Sequence, residues 1–93
     1  VPKSQRYSLG SQCQTEILTF VKLLLRATST YNESRKVALL REASTNLDTL
    51  KLLFSLCKDC RCFSNQTYQH LESRLSEIGK MLGGWLKSLS SSP

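Results

Sequence analysis

Glu77-Ile78-Gly79-Lys80-Met81-Leu82-Gly83-Gly84-Trp85-Leu86-Lys87-Ser88-Leu89 is the stretch whose reading decides the fold. With the residues before it, it places Leu71, Leu75, Ile78, Leu82, Trp85 and Leu89 at alternating spacings of four and three. That repeat lines up one face of an α-helix. The stretch also holds Gly79, Gly83 and Gly84, and each glycine inside a helix costs about 1 kcal/mol against alanine. Gly79 and Gly83 lie one turn apart on one face, which suits the close approach of another backbone. The expectation is a helix gripped by its neighbours, with Gly79, Gly83, Gly84 and Trp85 as the packing positions.

Upstream, the spacing predicts two further long helices. Leu40, Ala43, Leu47, Leu50, Phe54 and Cys57 alternate threes and fours over residues 33–58, the geometry of a bundle or coiled coil. Residues 9–28 carry Cys13, Ile17, Phe20, Val21 and Leu24 on one stripe, which Leu18 and Leu25 widen. So wide a stripe predicts contact with more than one neighbour. Ser29-Thr30-Tyr31-Asn32 reads as a turn, with Asn32 or Ser34 as cap of the second helix. The segment 59–64 reads as the next turn, with Ser64 or Asn65 capping a third helix over 65–89. Residues 1–8 read as an irregular lead-in, and Ser90-Ser91-Ser92-Pro93 as a disordered tail. No β-strand alternation competes.

Composition sets the outer limits. Ninety-three residues make one domain with a small core, of a size that often draws stability from partners. There is neither a run of apolar residues long enough to cross a membrane nor a signal peptide at the N-terminus. The formal charge is +6, from 13 Lys and Arg against 7 Asp and Glu. A small basic domain is drawn to nucleic acid, anionic membranes or acidic protein surfaces. The candidate nucleic-acid-binding residues are Lys22 and Arg26 on the first helix and Arg35, Lys36 and Arg41 at the start of the second. Lys51, Lys58 and Arg61 follow towards its end, and Lys80 and Lys87 lie on the third. Tyr7, Tyr31 and Tyr68 sit near helix ends without the interleaving of a base-stacking platform.

Nothing in the sequence assembles a catalytic centre. His70, the only histidine, lies off the apolar stripe and has no acid partner at a telling spacing. No glycine-rich loop follows a strand. Cys57, Cys60 and Cys62 form a C-x2-C-x-C cluster remote from Cys13. Three readings stand: free thiols, with Cys13 and Cys57 as small core hydrophobes; a metal site, completed by Cys13 or His70; or a disulfide. The sequons at Asn32 and Asn65 fall at predicted caps, where such residues are common. Four cysteines and two sequons also suit a secreted helical ligand. A free-thiol count under denaturing, non-reducing conditions separates that reading from an intracellular one.

The C-terminal stretch resembles the last helix of the accessory variability determinant (Avd) proteins of diversity-generating retroelements. These are four-helix-bundle proteins related to those encoded in ribosomal RNA intervening sequences. A second match stands at the other end, in Pro2-Lys3-Ser4, Arg6-Tyr7 and Leu9-Gly10, a segment that in the family leads into the second helix. The two matches bracket nearly the whole chain. The resemblance implies an all-α, antiparallel up-down four-helix bundle, of which this chain shows three helices and lacks the first. It implies a homopentamer in the cytoplasm of a prokaryotic or phage-encoded system, with no cofactor, no membrane and no catalysis of its own. Its partners would be the retroelement's reverse transcriptase and the template RNA and cDNA of mutagenic retrohoming, bound with little sequence preference. The nearer alternative is the intervening-sequence relative, which has the same fold and no reverse transcriptase partner. A neighbouring reverse transcriptase gene with template and variable repeats distinguishes the two.

Overall fold

The computed structural model describes residues 3–90 and, within them, the side chains of residues 8–89. The described residues form three helices and no strand: α1 Lys3–Thr28, α2 Glu33–Asp59 and α3 Asn65–Ser90. α2 holds neither proline nor glycine, so nothing interrupts its hydrogen-bond ladder. Asn32 caps it, its side-chain oxygen accepting from the Arg35 N–H at 3.1 Å. Ser64 caps α3 in the same way, accepting from the Thr67 N–H at 3.1 Å.

The lead-in is corrected. Residues 3–8 are helical rather than irregular, because Lys3 to Leu9 contain no breaker and their carbonyls continue the α1 ladder. At the other end α3 runs through Ser90, and the expected disordered tail beyond it lies outside the described residues.

The turn after α2 has a feature that the sequence does not announce. Arg61 adopts the left-handed conformation, with φ 59°. The Cys62 N–H then donates to the Cys57 carbonyl at 2.7 Å and the Arg61 N–H to the Lys58 carbonyl at 3.0 Å. This is the Schellman closure, in which glycine is the usual left-handed residue. An arginine there carries a steric cost of about 1–2 kcal/mol. Arg61→Gly is therefore expected to raise stability by about 1 kcal/mol, read as a melting temperature several degrees higher.

α2 is the central helix, packed by α1 on one flank and α3 on the other. Its Leu39, Leu40, Ala43, Leu47, Leu50, Phe54 and Cys57 are buried. They meet Cys13, Phe20, Leu23 and Ala27 of α1, and Leu75 and Leu82 of α3. Among these, Leu40, Ala43 and Ala27 are wholly inaccessible. Phe54 also stacks edge-on against Phe63 of the turn, centroids 6.1 Å apart, which anchors the α2–α3 connection. Across α1 and α2, the buried Asn46 donates from Nδ2 to the Glu16 carboxylate. A directional polar contact in an apolar seam favours one helix register over its neighbours.

The result is thin and long, with extents of 52 × 21 × 14 Å. α1 and α3 both lean on α2 but do not close on each other. Between them runs an apolar groove. One part, of about 310 Å³, is lined by Phe20, Leu24, Ile78, Met81, Leu82 and Trp85. The adjoining part, of about 230 Å³, has Leu47, Leu50 and Phe54 of α2 as its floor, and Phe20 and Ile78 border both. The α1 stripe continues past the groove into exposed Leu18, Val21 and Leu25.

The expected approach of another backbone is corrected: the only neighbours found at Gly79, Gly83 and Gly84 are side chains, and only at Gly79. A Cβ on Gly79 would meet Leu47 Cδ2 of α2 at 3.4 Å. At Gly83 and Gly84 it would meet nothing within 4 Å, so no neighbouring helix of this chain grips α3 there. Trp85 is half-buried and packs against the core while lining the groove. Gly83→Leu, on the helix rim, is thus expected to leave packing intact and to gain up to about 1 kcal/mol in helix propensity. Gly79→Leu is expected to cost about 1–3 kcal/mol by overpacking against Leu47. Paired thermal melts separate the two.

Candidate nucleic-acid interface

The ten candidate cations divide unevenly along the molecule. Lys58 Nζ sits 4.7 Å from the centre of the Tyr68 ring, and Gly79 faces Leu47, so α3 runs antiparallel to α2. Lys80 and Lys87 accordingly lie towards the end where α2 begins. The α1–α2 turn is at that same end, where Arg26 and Arg35 together line a shallow depression of about 280 Å³ with Leu25, Ser29, Thr30 and Leu39. In the slice made of α1 beyond Phe20, α2 before Leu47 and α3 beyond Gly79, the cations are Lys22, Arg26, Arg35, Lys36, Arg41, Lys80 and Lys87. Only Glu33 and Glu42 oppose them there.

The other described half is close to neutral. Lys51, Lys58, Arg61 and Arg74 face Glu16, Asp48, Asp59, Glu72 and Glu77. The positive charge of the described side chains is therefore concentrated at the turn end. Of its seven cations all but Lys36 are exposed, and Lys36 is half-buried. Arginine and lysine heads at an exposed surface are of the chemical type that meets phosphate oxygens.

The three remaining candidates are differently placed. Lys51 is half-buried beside Gly79, its Nζ 3.9 Å from where a Cβ would stand. Lys58 is half-buried and engaged with the Tyr68 face. Arg61 is exposed on the strained turn. Tyr31 stands fully exposed at the tip between α1 and α2, close in sequence to Arg26 and Arg35.

A family model described as bAvd-like matches residues 1–89. This chain belongs to the bAvd-like family. No curated protein and no solved structure matches it.

In this bAvd-like chain the remaining sequence candidates fall on the structure as follows. His70 is exposed on α3. All four cysteines are free, and Cys13 and Cys57 are buried while Cys60 and Cys62 are half-buried. Among the described residues no three of His, Cys, Asp and Glu come together as a metal site would need. No described helix is long and apolar enough to cross a membrane.

Sequence reasoning missed Arg74. It lines the floor-side part of the apolar groove beside Ile17, Leu71 and Ile78. Its position three residues from Leu71 and four from Ile78 on α3 was the available signal.

Proposed function

We propose that this bAvd-like chain is a non-catalytic accessory protein of a diversity-generating retroelement, working in the cytoplasm of its host. It would bind the element's reverse transcriptase together with its template RNA and cDNA in mutagenic retrohoming. The observation that carries the nucleic-acid part is the charge polarity: seven cations against two carboxylates at the turn end. Charge so arranged attracts phosphates without reading bases, because no element offers a base-edge contact pattern. Family membership supports the accessory role in general, and the reverse transcriptase as partner is what the family resemblance implies.

The fold reading extends in the same way. The groove between α1 and α3 has the apolar lining of an unfilled helix site. A fourth, antiparallel helix lying there would complete an up-down bundle and cover Ile78, Met81 and Trp85. The exposed Leu18, Val21 and Leu25 of α1 and Leu52 and Leu56 of α2 then remain for contacts between subunits. They lie on two different helices. Contacts between unlike faces build rings, in keeping with the homopentamer that the family resemblance implies.

Two measurements test this reading. Co-expression with the reverse transcriptase of the same element should give a complex that survives affinity purification; recovery of the enzyme alone would sink the partner assignment. Native mass spectrometry of the chain should give a mass near five times 10.5 kDa. A clean monomer at micromolar concentration would remove the pentamer.

A further inference from the structure

Two buried thiols meet at the end of the molecule remote from the α1–α2 turn, and a third lies beyond them on the turn after α2. Cys13 Sγ on α1 lies 3.8 Å from Cys57 Sγ on α2, and both side chains are buried. Cys62 follows Cys57 around the Schellman turn, its N–H bonded to the Cys57 carbonyl. Cys57 thus has one thiol beside it in the core and a second, half-exposed thiol a turn further along the chain.

We propose that Cys13 and Cys57 form a latent disulfide site, oxidised by exchange with a low-molecular-weight disulfide that enters through Cys62. The bond needs the two sulfurs to close from 3.8 Å to roughly 2 Å, a movement within reach of side-chain rotation. Burial pushes the Cys13 thiol up, and it pushes Cys57 up to about 12. Neither is therefore a ready nucleophile towards an oxidant in solvent. Cys62 is better exposed and attacks first. Its thiolate displaces one thiol from the small disulfide and is left as a mixed disulfide. Cys57 then attacks the Cys62 sulfur, expelling the second thiol and forming a Cys57–Cys62 bond. Cys13 attacks Cys57 in turn, forming Cys13–Cys57 and returning Cys62 as a thiol. In sum, one small disulfide is reduced to two thiols while two protein thiols lose their hydrogens and join.

The product staples α1 to α2 far from the turn that already joins them. Cys13 stands about 24 Å along the helix from Ser29, at 1.5 Å per residue. The oxidised chain therefore keeps its first two helices paired at both ends, and the loop that the bond closes restricts the unfolded chain.

The test uses the native chain, incubated with oxidised glutathione and mapped by mass spectrometry of unreduced peptides. The expected result is a Cys13–Cys57 cross-linked peptide, a mass lower by two hydrogens and a melting temperature several degrees higher. Cys62→Ser is expected to slow the bond's formation about tenfold or more while leaving the final product unchanged. Cys13→Ser should instead accumulate the Cys57–Cys62 bond. Glutathione found only on Cys60 and Cys62, with Cys13 and Cys57 still titrating as free thiols after unfolding, would overturn the site. Oxidation of Cys62→Ser at the wild-type rate would overturn the entry route.

Discussion

Leu40→Ala is expected to destabilise the fold by about 2–5 kcal/mol, the usual range for a buried leucine that leaves a cavity. Leu40 is wholly inaccessible, on the central helix, and belongs to the one core that all three helices share. A chain of this size has a total stability of roughly 5–13 kcal/mol, so the substitution removes a large share of it. The melting temperature should fall by about 10 °C or more in a circular dichroism scan. Leu52→Ala, on the exposed side of the same helix, should stay within about 0.5 kcal/mol of wild type in the single chain. Equal effects at the two positions would mean that α2 is not the central helix.

The second large effect is electrostatic. Lys22→Gln with Arg26→Gln is expected to weaken binding to RNA and DNA of any sequence and to flatten its salt dependence. Both side chains are exposed on α1, four residues apart, at the end with the charge excess. Each phosphate contact contributes about −0.7 to −0.9 to the slope of log K against log salt. Losing two contacts per engaged subunit should therefore reduce the slope by nearly two units, and several subunits side by side multiply the loss. Arg61→Gln, at the nearly neutral end, should change the slope less. Filter binding from low to physiological salt gives both numbers. Affinity indifferent to salt, or unaltered in the double variant, would assign the charge to the reverse transcriptase contact or to solubility instead.

Much of this architecture was legible in the chain. The heptad run from Leu40 to Cys57 marked α2 and its buried face, because a three-four spacing allows no other regular structure to bury those side chains together. Capping chemistry marked the helix starts with two candidates each, and Asn32 rather than Ser34, and Ser64 rather than Asn65, make the bond. The width of the α1 stripe predicted contact with more than one neighbour, but among the described residues α1 packs only against α2 and leaves Ile17, Phe20 and Leu24 bordering an open groove. The irregular lead-in was misread because Pro2 and a polar run look like a linker, although nothing from Lys3 onward breaks a helix.

The candidate site was legible as an inventory and not as a distribution. Counting residues yields a charge of +6; only the antiparallel return of α3 brings Lys80 and Lys87 to the end that holds Arg26 and Arg35. The sequence by itself determined that there are three helices here, where α2 and α3 begin and which face each helix buries. These are local properties, decided by spacing, caps and breakers within a few turns. The tertiary structure decided what each face meets. Gly79 touches Leu47 while Gly83 meets nothing, and Cys13 finds Cys57 across 44 residues of sequence. Arg74 reaches the groove, and Arg61 takes a left-handed turn. Each depends on the rotation and register of one helix against another, and side chains distant in sequence set those together through packing.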